Sequence, residues 1–389
     1  MSHTGEQSAA DRRRGVEDPD GEWGEQARAI NWFRRPRTAL DGVLNTCYNA
    51  LDRHVIAGLA EHTALVHHSA ILGEQRSYSY AELTDQVARI GGALTVMGVG
   101  KGDRVVIHLP MVAEAAMAML ACARIGAVHA VVSGGCMVSE LAARIDDARP
   151  KVVLTASCVL QGSRVIACKP VLDEALDKAS HTVDHVMVLQ RPQVTAELVE
   201  PRDVDWRMMT RPGAFEPASC VDVAATDPLY ILHTYGAAGQ PERIVRDNGA
   251  HAVALVHSMR VHDIGPDDVM FTTSDVSSVE GHSHLVYGPL LVGATTVMYE
   301  GDPVGATDTG AIWKADADHG VTCMITAAET IDAVRKVDAE GELIKAHDTS
   351  MLRQLFLVGE PDPDTTQWIS ERLSVEAVTP LPRGGDSDG

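Results

Sequence analysis

The chain has 389 residues, which is enough for two or three domains, and its 45% hydrophobic content argues against global disorder. Its formal net charge of −21 argues against a nucleic-acid or anionic-membrane surface, since both partners are polyanions. Its seven scattered cysteines contain no CxxC pair, a pattern typical of free thiols in a reducing compartment. Because no signal-peptide pattern opens the sequence, we expect a cytoplasmic protein that binds neither nucleic acid nor membrane.

The chain begins with a polar, charge-mixed segment, residues 1–40, which we predict to be a mobile N-terminal tail. The first strong helix signal is a capping box from Ser79 to Glu82, followed by apolar residues at helical spacing. The apolar stretch of residues 111–132 is long enough to suggest a membrane span, but it contains two charged residues and a histidine. We therefore predict a buried helix followed by a strand there.

Helices and strands then alternate along the chain. The predicted helices include Glu114–Arg124 and Ser139–Ala148. The predicted strands are, in chain order, Val105–Leu109, Ala127–Val132, Lys151–Thr155, His185–Gln190, Leu229–Thr234, Val269–Thr273, Thr295–Glu300, Val321–Thr326 and Leu352–Val358. This alternation predicts an α/β fold of two β-α-β subdomains with mostly parallel sheets, in which ligands bind at the carboxyl ends of the strands.

We place the first α/β subdomain, with its connection, at residues 41–220 and the second at residues 221–378. The boundary falls within residues 190–225, which are rich in Pro, Asp and Glu and show little periodicity. Residues 379–389 are predicted to form a solvated C-terminal tail.

Several common site motifs fail in their context. The glycine string that starts at Gly98 follows a helix and precedes a strand, the reverse of a dinucleotide-binding fingerprint. No GxxxxGK[ST] sequence occurs, so there is no Walker loop. The histidine pairs at residues 67–68 and 282–284 lack further ligands at metal-binding spacing, so we predict no metal site.

One glycine-containing loop does lie in a suitable context. The segment ILHTYGAAGQPERIV, residues 231–245, runs from an apolar strand into a loop where Gly236 and Gly239 permit a tight turn and Pro241 fixes the exit. A loop of this kind presents backbone N–H groups to a phosphate. Its position and backbone therefore predict a phosphate loop that also contains Thr234.

This loop belongs to a collinear set of motifs. They are NTCYN at 45–49, ACARIGAVH at 121–129, HTYGAAGQPER at 233–243, VRDNG at 245–249, SDV at 274–276, GHS at 281–283, GATTV at 293–297, YEG at 299–301 and LFLVGEP at 355–361. Over roughly residues 30–375 the sequence thereby resembles the N-terminal part of the AMP-forming acyl-CoA synthetases of the acyl-adenylate-forming (ANL) superfamily. Within that superfamily it most resembles the short-chain acetyl- and propionyl-CoA synthetases.

The resemblance implies an incomplete N-terminal domain of an acyl-adenylate-forming enzyme and a reaction in two steps. A short-chain carboxylate, acetate or propionate, attacks the α-phosphate of ATP, which gives an acyl-adenylate and pyrophosphate. The thiol of coenzyme A then takes the acyl group. ATP, Mg²⁺ and coenzyme A are thus the implied cofactors and small-molecule partners, while the oligomeric state stays open.

The resemblance also implies site residues. They are Thr234, Gly236, Gly239, Gly359, Glu360 and Pro361 for ATP and AMP, Ser278, Glu280 and Gly281 for the acyl pocket, and Arg144 for coenzyme A. The alternative for Arg144 is a solvated face of an amphipathic helix.

The loop departs from the family's YTSGTTGxPKG pattern. Tyr235, Ala237 and Ala238 stand where the family has Ser, Thr and Thr, and Glu242 replaces the lysine. Each hydrogen bond to a charged group is worth about 1.5–3 kcal/mol, so we expect weakened phosphate binding. Arg243 brings a cation nearby, but we expect it to point away from the phosphates.

The acyl pocket departs as well, and the chain ends early. Ser277, Ser278 and Glu280 stand where the short-chain enzymes have Gly, Trp and a small Val or Thr, so an aromatic wall is lost. The family's C-terminal domain with its catalytic lysine has no counterpart before Gly389, so we assign no catalytic residue. Two hypotheses follow: a short-chain acyl-CoA synthetase that is impaired or inactive as this chain, or a non-catalytic pseudoenzyme or fragment that binds a nucleotide or a partner.

Overall fold

Two seven-stranded sheets organise the molecule. A computed structural model describes residues 24–36, 41–235, 241–301, 310–373, 375 and 377–381. The strands are β1 Val43–Leu44, β2 Thr63–Ser69, β3 Glu74–Ser79, β4 Arg104–His108, β5 Val128–Val131, β6 Val152–Ala156, β7 Cys158–Gln161, β8 Arg164–Ala167, β9 His185–Leu189, β10 Asp203–Asp205, β11 Val223–Ala224, β12 Pro228–Tyr235, β13 Pro241–Asp247, β14 Val269–Thr272, β15 Thr295–Glu300, β16 Cys323–Ala327, β17 Gln354–Val358 and β18 Ala377–Leu381.

Helices connect most of these strands. The α-helices are α1 Tyr80–Val96, α2 Ala113–Arg124, α3 Val138–Ala148, α4 Cys168–Lys178, α5 Trp206–Thr210, α6 Asn248–Val261, α7 Gly288–Val292, α8 Ala311–His319, α9 Ala328–Val337, α10 Glu342–Lys345 and α11 Pro363–Arg372. Shorter elements are a 3₁₀ turn at Ala27–Ala29 and π-helical turns at Tyr48–Asp52, Val55–Leu59 and Gly281–Tyr287.

Both sheets are parallel except for one edge pair each. The first sheet has the order β10-β9-β6-β4-β5-β12-β13, in which only β12 and β13 are antiparallel. The second has the order β18-β17-β16-β14-β15-β2-β3, in which only β2 and β3 are antiparallel. The predicted α/β fold with mostly parallel sheets is confirmed.

The layers follow from which faces are apolar. The largest buried cluster contains side chains of α1, α2 and both sheets, so these two helices lie between the sheets. A second cluster joins the outer face of the second sheet to α8, α9 and α11, and a third joins the outer face of the first sheet to α3 and α4. Covering both faces of a parallel sheet with helices is the usual way to remove its apolar surface from water.

The helix signals in the sequence are confirmed where they were strong. At the start of α1, the Glu82 N–H donates to the Ser79 hydroxyl at 3.2 Å and the Ser79 N–H donates to the Glu82 carboxylate at 2.9 Å. Every residue of α2 except Glu114 is buried, which explains the membrane-like composition of that stretch. In the described part of the chain, no helix combines the length and apolar character that crossing a membrane would need.

Each sheet takes strands from both sides of the boundary predicted at residue 220. The hairpin of β2 and β3 pairs with β15 in the second sheet, whereas β12 and β13 extend the first sheet through β5. The predicted division at residues 220 and 221 therefore does not coincide with the division between the sheets. The physical reason is that strand periodicity is local, whereas the choice of a parallel partner is made by tertiary packing.

Parts of both predicted tails are ordered elements. Ala27 and Ile30 are each only 4% exposed, and the Asn31 N–H donates to the Asn49 side chain at 2.7 Å, so this part of segment 1–40 packs on the first core. At the other end, residues 379–381 of the predicted tail belong to β18 and pair with β17. Residues 1–23, 37–40 and 382–389 lie outside the described part of the chain.

A buried ion pair joins the carboxyl ends of the two sheets. Arg191, just after β9, donates to both carboxylate oxygens of Glu300, the last residue of β15, at 2.6 and 2.9 Å. The two side chains are 7% and 4% exposed. The Ser69 hydroxyl adds a 2.8 Å hydrogen bond to Glu300, and the Arg191 N–H donates to the Ser157 hydroxyl at 2.8 Å. The pair therefore fixes how the two strand edges face each other.

We predict that Glu300→Ala lowers the free energy of unfolding by about 3–5 kcal/mol, because it leaves the Arg191 guanidinium buried without its carboxylate partner. Urea denaturation of wild type and variant measures the difference. Glu174→Ala is the matched control, because Glu174 pairs with Lys178 at 2.8 Å with both side chains more than half exposed. Its expected cost is about 0–1 kcal/mol. Equal losses for the two variants would contradict a special role for the buried pair.

Candidate functional site

The carboxyl ends of the strands in the two sheets face each other. Met111, which follows β4 of the first sheet, contacts two residues of the second sheet and its loops. The Val276 N–H donates to the Met111 sulfur at 3.2 Å, and the Met111 carbonyl oxygen lies 3.1 Å from His67 Nε2. The Arg191–Glu300 pair spans the same junction. This is the location where parallel α/β sheets bind ligands.

The predicted phosphate loop connects the antiparallel strands β12 and β13. Backbone pairing runs from Pro228 opposite Asp247 to Tyr235 opposite Pro241. Gly236 and Gly239 lie outside the described residues, as does the side chain of Thr234, whose backbone is opposite Glu242 in the ladder. Their assignment to phosphate binding stays a prediction, and the structure fixes only the two strand ends from which the loop projects.

The Arg243 side chain, next to the loop, pairs with a residue of α3, the helix that packs on the outer face of the first sheet. His233 and Arg243 are opposite each other in the ladder and point to the same side. Asp147 near the end of α3 contacts both, at 2.7 Å from His233 Nε2 and 3.4 Å from Arg243 Nε. The Arg243 side chain is therefore directed toward Asp147 on α3, in agreement with the expectation that it does not replace the loop lysine.

The segment predicted to border adenine follows β17. Gly359 has a φ of +89°, a conformation that suits glycine, and it turns the chain so that Glu360 is exposed and Pro361 is half-buried. β16 lies beside β17, with Ala327 opposite Val358. Residues 359–361 are thus an open surface at the carboxyl edge of the second sheet.

The predicted acyl-pocket segment lies at the same edge, after β14. The Ser278 hydroxyl donates to the Asp275 carbonyl at 2.7 Å and accepts from the Gly281 N–H at 2.9 Å. A Cβ on Gly281 would lie 2.1 Å from the Asp275 carbonyl oxygen, so only glycine fits there. Glu280 is half-buried. Ser278 and Gly281 therefore shape the turn into the π-helical segment Gly281–Tyr287, and their role toward an acyl group stays a prediction.

Behind this segment lies a group of buried rings that sequence reasoning missed. His282 stacks on His129 of β5 with ring centroids 5.6 Å apart and planes 5° apart. Tyr230 of β12 lies 4.5 Å from His282, and Tyr287 lies 3.3 Å from His129 through its hydroxyl. These four side chains connect β12, which leads into the predicted phosphate loop, to the predicted acyl-pocket segment. The only sequence signal was that His129 lies within an apolar run, residues 127–132.

Burial keeps these histidines neutral. Loss of hydration lowers the pKa of His282 to about 4 and holds the pKa of His129 well below its ordinary value, where His282 adds a smaller effect. Both residues are 0% exposed, and His129 Nδ1 and His282 Nε2 have no hydrogen-bond partner in the described residues. We therefore expect both rings to be uncharged near neutral pH, and the absence of a metal site at residues 282–284 stays a prediction.

The residue predicted to approach coenzyme A is engaged on its own helix. Arg144 of α3 is 9% exposed and pairs with Glu140, one turn earlier, at 3.3 Å. The alternative of a solvated face does not fit this burial. Its contact with coenzyme A stays a prediction.

The chain belongs to the family of AMP-binding enzymes, whose model matches residues 52–379. An uncharacterized protein of Pseudomonas aeruginosa is 50% identical over 372 residues, covering 92% of this chain and 59% of the relative. Human acyl-CoA synthetase short-chain family member 3, a mitochondrial protein, is 38% identical over 369 residues, covering 91% and 53%. The propionate–CoA ligase of Salmonella typhimurium is 37% identical over 383 residues, covering 94% and 60%.

These comparisons confirm the resemblance to short-chain acyl-CoA synthetases. The chain spans between about half and three fifths of the length of these relatives. Among solved structures, acetoacetyl-CoA synthetase from Streptomyces lividans superposes with a TM-score of 0.85 at 24% identity, over 96% of this chain and 59% of that one. At this identity the likeness shows the fold alone.

The neutral histidines predict acid sensitivity. The unfolded state takes up protons below pH 6.5 while buried His129 and His282 do not, so stability that is present above pH 6.5 is lost as the pH falls toward about 4. Each such histidine contributes a slope of about 1.4 kcal/mol per pH unit.

We expect His129→Phe to reduce this slope between pH 6.5 and 4.5 by about that amount, measured by urea denaturation at each pH. Between pH 7 and 8 the free energy of unfolding should change with pH equally in the two proteins, which serves as the internal control. Parallel curves over the whole range would contradict a neutral buried His129.

Proposed function

We propose that this chain is an AMP-binding acyl-CoA-synthetase-like protein whose adenylation chemistry is impaired. The reaction from which it derives joins acetate or propionate to coenzyme A through an acyl-adenylate, with Mg-ATP as the nucleotide substrate. The family membership and the names of the relatives support this class. The structural observation that carries it is the placement of residues 275–281 and 359–361 at one sheet edge, facing the other sheet.

The described residues at this edge are better suited to bind adenine and the acyl group than to bind the phosphates of ATP. Residues 359–361 offer an open turn beside β16 for the flat face of adenine. Ser278 and Gly281 hold a tight turn that forms one wall of the proposed carboxylate pocket. Transfer to the α-phosphate needs positive charge and hydrogen-bond donors around the leaving pyrophosphate.

Impaired phosphate binding is inferred from the side chains around the loop. Tyr235, Ala237 and Ala238 supply none of the short hydroxyls, and Glu242 introduces a carboxylate at the exit. Arg243 is already paired with Asp147 on α3. With a net charge of −21, the chain also gives an anionic nucleotide no long-range attraction. The second candidate, a non-catalytic module that binds a nucleotide or a partner, is favoured by these same substitutions.

Pyrophosphate exchange tests the adenylation step directly. We expect this chain, with Mg-ATP and either acetate or propionate, to exchange labelled pyrophosphate into ATP only at background rate, because the loop repels phosphates. The propionate–CoA ligase of Salmonella typhimurium is the positive control. Exchange that depends on the added carboxylate would contradict impairment and support an active synthetase.

Restoring the family's residues in the loop tests whether the loop is the phosphate-binding site. The variant Tyr235→Ser, Ala237→Thr, Ala238→Thr, Glu242→Lys should bind ATP at least about tenfold more tightly than wild type, a gain of about 1.4 kcal/mol. This is less than the charge reversal alone can supply at short range. Glu174→Lys on the exposed face of α4 is the matched control, since it makes the same change of net charge away from the loop.

Binding is measured by calorimetry with Mg-ATP and by thermal shift with AMP. An equal gain in the Glu174→Lys control would attribute the effect to net charge and would contradict the loop as the phosphate site. No gain in the restored variant would contradict the proposed nucleotide site altogether.

A further inference from the structure

Two cysteines far apart in sequence meet beside a buried arginine on the first core. Cys47 precedes the π-helical turn Tyr48–Asp52, and Cys220 lies between α5 and β11. Their sulfur atoms and a carboxylate oxygen of Asp52 all lie within 4.8 Å of one another. Arg124, the last residue of α2, donates to Cys47 Sγ at 3.6 Å and to the two Asp52 oxygens at 2.8 and 2.9 Å. We call these four residues the Arg124 cluster.

The charges of the Arg124 cluster oppose a metal ion. Two thiolates and a carboxylate could otherwise bind Zn²⁺. The Arg124 guanidinium, however, contacts both Cys47 and Asp52, so a dication at that point would stand against a fixed positive charge. Both oxygens of Asp52 are already hydrogen-bonded to it. The contact of the same guanidinium with Cys47 Sγ keeps that sulfur on the side of the cluster where Cys220 lies.

The geometry suits a covalent bond between the sulfur atoms. A disulfide requires a separation of about 2.05 Å, so the two sulfurs, which lie within 4.8 Å, must approach by less than about 3 Å. Cys220 is half-buried on a surface segment and reachable by a small oxidant, whereas Cys47 is 0% exposed. The Cys220 thiol also donates to Asp52 Oδ2 at 3.6 Å, a contact that holds its sulfur on the same side as Cys47.

We propose that Cys47 and Cys220 are a redox modification site that forms a reversible disulfide with a peroxide as oxidant. The Cys220 sulfur attacks one peroxide oxygen, the O–O bond breaks, and a sulfenic acid and one water form. The Cys47 sulfur beside Arg124 then attacks the Cys220 sulfur, and the sulfenic hydroxyl leaves as a second water with the proton released by the Cys47 thiol. Two thiols and one hydrogen peroxide thus become one disulfide and two waters, and a dithiol reductant reverses the change.

The bond would anchor a surface segment next to the phosphate-loop hairpin. Asn45 already donates to the Val221 carbonyl at 2.9 Å, and Thr46 donates to Asn248 at 2.7 Å. Asn248 is the first residue of α6, directly after β13. Oxidation therefore adds a covalent link to contacts that hold both sides of the hairpin against residues 45–49.

Peptide mapping of the full chain after treatment with hydrogen peroxide tests the proposal. We expect a peptide pair linked through Cys47 and Cys220 as the main product, together with a higher Tm that dithiothreitol reverses. Cys220→Ser should lose both effects, whereas Cys136→Ser, which removes another half-buried cysteine, should keep them. Alkylation of the reduced wild type gives an independent measure of access, and Cys220 should label before Cys47.

Other outcomes overturn the proposal. The proposed disulfide between Cys47 and Cys220 would be contradicted if the main product linked other cysteines. It would also be contradicted if Cys220 were oxidised irreversibly without forming a link. Binding of one Zn²⁺ per reduced chain, lost in Cys220→Ser, would replace the redox site by a metal site.

Discussion

The buried pair of Arg191 and Glu300 is the interaction on which the arrangement of the site depends. It lies where β9 of one sheet and β15 of the other end, and each side chain is less than 10% exposed. A buried ion pair contributes little net stability compared with apolar residues of the same size, but removing one partner is costly. We interpret its value here as orientation: two guanidinium–carboxylate hydrogen bonds allow only one way for the two edges to meet.

This orientation determines which loops can share a ligand. With the strand edges facing each other, the turn at residues 275–281 and the turn at 359–361 lie together, and the β12–β13 hairpin projects from the opposite sheet. The helix α3 then acts on the hairpin through Asp147, which holds His233 and Arg243 on its own side. An anionic ligand would compete with Asp147 for the Arg243 guanidinium, which is half exposed and lies 3.4 Å from that carboxylate.

Local signals predicted the elements well and their partners poorly. The capping box at Ser79, the buried helix α2 and the positions of most strands were correct because they depend on residues close in sequence. The β2–β3 hairpin in the second sheet, the stacking of His129 on His282 and the pairing of Arg243 with Asp147 were not predictable in this way. Each joins residues that only tertiary packing brings together, and one sequence carries no separate signal for such contacts.

The residues of the predicted site fall into two groups, those that hold the local fold and those that would contact a ligand. Gly281 must stay glycine for the turn to close on Asp275, and Ser278 makes two backbone hydrogen bonds there, so these residues serve the fold whether or not a ligand binds. The loop between β12 and β13, by contrast, is where the sequence departs from the pattern that it otherwise resembles. Membership of the AMP-binding family, which spans residues 52–379, therefore does not by itself report on the loop side chains, and activity has to be judged from those side chains separately.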